Sequence, residues 1–95
     1  MICKHGSIDS CYGDGADFGW PCEVRLDGDE IIISYEENGC HCLYKGRDVG
    51  HGHFELNCTE NGGKATLHRF PDGDHLDGFW VQDGYQGMWR IHLDE

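Results

Sequence analysis

Six cysteines, seven histidines and eighteen acidic residues stand in a chain of 95, so thiolate, imidazole and carboxylate chemistry are all open to it. Cys40, Cys42 and Cys58 form the leading set. Three clustered thiolates would hold zinc tetrahedrally if Cys3, His5 or Cys11 supplied a fourth ligand. Two of them would alternatively close a disulfide on oxidation. The plainer reading is that cysteine, small and readily buried, fills narrow places in a core. No pair is spaced C-x-x-C, so the strong signal of a zinc ribbon is missing. His53, Glu55 and His68 are a second set that would chelate a divalent ion if brought together. Asp27-Gly28-Asp29 and Asp72-Gly73-Asp74 look like fragments of calcium ligation, but the EF-hand spacing and its bidentate glutamate do not follow. No nucleophile elbow, phosphate loop or dinucleotide fingerprint occurs, and no Cys–His–Asp pairing stands apart from the rest. No catalytic residue is singled out, so a binding role is expected ahead of an enzymatic one.

Strands must position these groups. Residues 63–93 read as three short apolar and aromatic runs separated by PDGD and DGYQG, which is an antiparallel meander. Upstream, Cys22, Val24 and Leu26 share a face, as do Ile31, Ile33 and Tyr35. An Asp27-Gly28 turn would pair Leu26 with Asp29, setting Val24 opposite Ile31 and Cys22 opposite Ile33. Asn38-Gly39 is the strongest hairpin signal and pairs Glu37 with Cys40, hence Tyr35 with Cys42 and Ile33 with Tyr44. Setting Tyr44 opposite Phe54 then brings Cys40 opposite Cys58. Asn61-Gly62-Gly63 returns the chain with Ala65, Leu67 and Arg69 inward. A four-residue turn over 83–86 sets Trp80 opposite Trp89 and Leu76 opposite Leu93. Phe70, Phe79 and Val81 then face outward, an apolar strip suited to cover by the N-terminal segment or by a second copy in a homodimer.

No run has a sustained 3.6-residue period. The fold class expected is all-β: a single-domain antiparallel up-and-down meander of six to seven strands that closes into a small barrel. Residues 1–19 read as an irregular N-terminal arm and residues 20–95 as the barrel domain.

The net charge of −11 repels duplexes and anionic bilayers, so neither nucleic acid nor membrane is an expected partner. The N-terminal residues lack the order of a signal peptide, which points to a reduced, cytoplasmic setting with free thiols.

The runs Leu76-Asp77-Gly78-Phe79-Trp80 and Gly87-Met88-Trp89-Arg90-Ile91 resemble the closing hairpin of small bacterial lipocalin-like (calycin-like) proteins, as does Gly63-Lys64-Ala65-Thr66-Leu67-His68-Arg69-Phe70 before them. True lipocalins carry Gly-x-Trp near the first strand, whereas Gly19 and Trp20 are adjacent here. The resemblance implies a lipocalin-like barrel whose interior takes a small apolar molecule.

Arg69 then stands out, because an inward guanidinium needs a partner. Asp48 or Asp72 would supply one structurally; an anionic ligand group would supply one functionally. The expected site is a mouth at the end away from the Asn-Gly turns, bounded by Tyr44, Phe54, Arg69, Trp80 and Trp89. Its ligand would be small and anionic or amphipathic, with no cofactor unless the thiols hold zinc.

Overall fold

A computed structural model describes residues 2–37, 39–60 and 62–93, with side chains from His5 onward. Eight strands follow one another: β1 (Ile2–Tyr12), β2 (Gly15–Asp27), β3 (Glu30–Glu37), β4 (Cys40–Asp48), β5 (His53–Cys58), β6 (Lys64–His68), β7 (His75–Gln82) and β8 (Tyr85–Leu93). Each pairs antiparallel with the next, and β1 pairs with β8, so the sheet closes into a barrel. No helix occurs among the described residues, so none is long and apolar enough to cross a membrane.

The count of eight exceeds the six to seven strands expected because residues 2–19 of the expected irregular arm are strand and turn. They make up β1 and the first part of β2, and β1 is the strand that seals the barrel. Alternation is hard to see there because the positions of β1 on the parity of buried Ile8 include Gly6 and Ser10. In β2 the period itself breaks. Ile8 pairs with Trp20 but Ser10 pairs with Asp17, so an extra residue lies opposite Asp9. Gly19, at φ +71°, takes the left-handed conformation that such a bulge requires. The inward set therefore switches from the odd-numbered Asp17 to the even-numbered Trp20, Cys22 and Val24.

The β3–β4 register is the expected one, with Glu37 opposite Cys40 and Ile33 opposite Tyr44; Asn38 itself lies outside the described residues. Between β2 and β3 the loop is Gly28-Asp29, and Val24 faces Ile33 rather than Ile31. Between β7 and β8 the loop is Asp83-Gly84, both at positive φ, as a two-residue hairpin of the primed type needs. Trp80 consequently faces Gly87, and Leu76 faces Ile91. Both shifts are by two residues, so the inward face is preserved. The β4–β5 register differs by four: Tyr44 faces Cys58, not Phe54. Asn61 of the expected β5–β6 turn lies outside the described residues.

The inward faces build one core. Val24, Ile31, Ile33, Tyr44, Leu67, Leu76 and Ile91 are wholly inaccessible, each burial of this kind contributing about 1.5–3 kcal/mol. Outward Phe70, Phe79 and Val81 are exposed, as expected. Gly78 sits where β7 crosses β6: a Cβ there would strike the Thr66 carbonyl.

Candidate functional site

The four turns β1–β2, β3–β4, β5–β6 and β7–β8 gather at one end of the barrel, and the cavity opens there. It encloses about 570 Å³ and is lined by Ile8, Ser10 and Tyr12 of β1, Asp17 and Trp20 of β2, and Tyr35 and Glu37 of β3. Trp80, Gln82, Asp83, Tyr85 and Trp89, from β7, β8 and their turn, complete it. This is the Asn-Gly end, opposite to the one expected. The core explains the difference, since long aliphatic side chains of β2, β3, β6 and β7 fill the far half. Toward the Asn-Gly end, the inward positions carry Ser10, Asp17, Gly87 and aromatic rings that pack on one another.

Those rings make the floor. Trp89 meets Tyr44 edge-on at a centroid distance of 5.0 Å and Tyr35 at 6.1 Å. Tyr35 stacks on Tyr44 at 6.5 Å, and Trp80 lies tilted against Trp89 at 6.4 Å. Burial holds the phenols of Tyr35 and Tyr44 far above the usual tyrosine range, so both stay neutral donors. Tyr44 donates to Gln82 Oε1 at 3.1 Å. The Trp80 indole N–H is buried with no hydrogen-bond partner among the described residues.

Three carboxylates stand at the rim: Asp17, Glu37 and Asp83. The Tyr12 hydroxyl donates to Asp17 Oδ2 at 2.9 Å, which raises the Tyr12 pKa. Beside them the β2–β3 ladder is short for the length of its strands. The β2–β3 ladder ends at Glu23 and Ser34 although β3 continues to Glu37. Pro21 has no N–H to extend it. The Trp20 indole bridges the gap, donating to the Glu36 carbonyl at 2.8 Å.

Of the expected ligand-binding residues, Trp80 and Trp89 line the cavity, and Tyr44 lies beneath as their support. Phe54 and Arg69 are at the opposite end. Arg69 meets neither Asp48 nor Asp72; its Nε donates to the Gly73 carbonyl at 2.9 Å while its backbone N–H donates to Gly52. β6 ends at His68, so the inward alternation does not extend to Arg69. Tyr12, Trp20, Tyr35 and the rim carboxylates were not anticipated. The signals that would have found them are a glycine inside a strand-like run at Gly19 and the Asp83-Gly84 hairpin pair.

The thiol set assembles only in part. With Cys58 opposite Tyr44, it lies away from Cys40, and Cys40 is exposed at the barrel end while Cys58 is buried. Cys42 does lie near Cys58: burial, then the Cys58 thiol, pushes the Cys42 pKa up. Cys58 donates to Glu60 Oε2 at 3.4 Å. The proposed fourth ligands include Cys3, whose side chain lies outside the described residues. His53 and His68 do pair across β5 and β6 with ring nitrogens in contact, but Glu55 faces Thr66. Among the described residues no three of His, Cys, Asp and Glu form a metal-binding group.

No family model matches the chain, and no curated protein matches it in sequence.

Proposed function

We propose that this chain is a non-enzymatic binding barrel of the lipocalin-like kind that takes a small amphipathic molecule into its mouth. The observation that carries the reading is the cavity of about 570 Å³ with six aromatic side chains in its wall. That size falls within the range of small-molecule sites, about 300–1,000 Å³, and aromatic walls with a few polar groups are their usual lining. Tyr35, Trp80 and Trp89 offer apolar surface; Ser10, Gln82 and the carboxylates offer polar contacts nearer solvent. Exposed, unpaired Cys11 and Cys40 suit a reducing interior, where this reading places the protein.

The chain's three tryptophans, Trp20, Trp80 and Trp89, all line the cavity, so their indole NMR signals report on it directly. Titration with hexanol, hexanoate and hexyltrimethylammonium should move those signals saturably for at least one of the three. If all three compounds leave the indoles in place, the barrel is not a receptor for small amphiphiles. A second reading, self-association, draws on the outer row in which Phe79 faces Met88 and Met88 faces Cys11, all exposed. Sedimentation showing a monomer at high protein concentration would dismiss it.

A further inference from the structure

Resting on the mouth-binding reading above, we infer that the ligand is an organic cation, an ammonium group carried on a compact apolar body. Asp17, Glu37 and Asp83 reach the rim from β2, β3 and the β7–β8 turn, so negative charge surrounds the opening rather than clustering at one loop. Among the described residues, no Lys, Arg or His lines the cavity. Arg69, the cation expected to receive an anion, is held at the far end by the Gly73 carbonyl.

The wall repeats the same preference. An aromatic face carries the negative part of the ring quadrupole, and Trp and Tyr are the best partners for a desolvated ammonium. Tyr12, Trp20, Tyr35, Trp80, Tyr85 and Trp89 supply such rings around one opening. Tyr12 pins Asp17 by its hydroxyl, so that carboxylate is set in place before a ligand arrives. A carboxylate or phosphate would instead approach three like charges. It would find only neutral phenols, the Ser10 hydroxyl, amide and indole donors to replace its water, a poor exchange for a desolvated anion.

The experiment uses the three six-carbon probes above at about 0.15 M salt, where long-range attraction to the acidic surface is screened beyond about 8 Å. Hexyltrimethylammonium should bind about tenfold more tightly than hexanol, as ring faces and rim charges acting together predict, and hexanoate should bind more weakly than either. Glu37→Gln combined with Asp83→Asn should cut the preference for the cation over hexanol to about threefold or less. That pair alters the net charge only from −11 to −9 (two carboxylates neutralised), so a general charge effect would survive it. Hexanol or hexanoate binding as tightly as the cation, or a preference that persists in the double variant, would overturn the cation assignment and leave mouth binding standing. Indoles unmoved by all three probes would remove both.

Discussion

Tyr44 is the largest side chain with no accessible surface, and its hydroxyl ends in the bond to Gln82. Tyr44→Phe keeps the ring contacts with Trp89 and Tyr35 and removes that bond. Gln82 is only half-buried and can turn to water, so the expected loss is about 0.5–1.5 kcal/mol, read as a lower urea midpoint at unchanged slope. Burial raises the folded pKa of Tyr35 and Tyr44, so the stability they contribute is present below the ordinary phenol range near 10 and is lost as pH rises beyond it. An alkaline absorbance titration should show these two of the four tyrosines ionising only as the protein unfolds. Asp9 acts on the other side. Its pKa is lowered first by the Gly19 N–H and then by His92, so its contribution is present above the ordinary aspartate value near 3.9 and lost as pH falls below it. Asp9→Asn should flatten the acid limb of melting temperature against pH. At this scale the sequence was least informative about Arg69. Alternation from Ala65 and Leu67 points it inward, but the strand ends one residue earlier and a backbone carbonyl takes the guanidinium.

Elements were far more legible than their registers. Because side chains alternate with a period of two, a turn misplaced by one residue shifts the pairing by two and leaves every inward residue inward. Thus Val24, Ile31, Ile33, Leu67 and Leu76 were identifiable as core even where their partners were not. The four-residue error between β4 and β5 also preserved the face, but it set Cys40 opposite Cys58, a pairing that the barrel does not contain. Among the described residues only the Gly19 bulge reverses parity: it hid the inward aim of Asp17, while Gly6 and Ser10 at inward positions hid β1. Gly19→Ala forces an L side chain to φ +71° at about 1–2 kcal/mol. The expected result is a melting temperature lowered accordingly, with altered Trp20 emission as its indole leaves the Glu36 carbonyl. Gly78→Ala should cost more, because the Thr66 carbonyl occupies the Cβ position and two paired strands must separate to admit it.

For the whole molecule, closure decides how these parts respond together. β1 pairs with β2 over its full length and with β8 from Gly6 opposite Leu93 to Tyr12 opposite Gly87, so the described strands form one ring around one buried cluster. The exception is the first half of β2, which the β2–β3 ladder does not reach and which the Trp20 indole ties to β3. Two outcomes follow for unfolding. If the mouth were a separate unit, indole fluorescence would change before the loss of strand signal, since every tryptophan is at that end. If the ring holds, both probes report one event, because Trp89 is at once a wall of the mouth and a member of the buried cluster. Tyr44 and Tyr35 link it further to β3 and β4. The second outcome is expected: fluorescence and far-ultraviolet dichroism should give coincident urea transitions, with a strand-dominated spectrum that lacks a helical component. Raising the salt concentration should shift both midpoints upward together, since 18 acidic residues against 7 basic ones repel one another most in the compact state. A fluorescence midpoint that falls clearly below the dichroism midpoint would show that the mouth opens before the rest of the barrel. The mouth would then be a hinged flap rather than a rim fixed by the barrel.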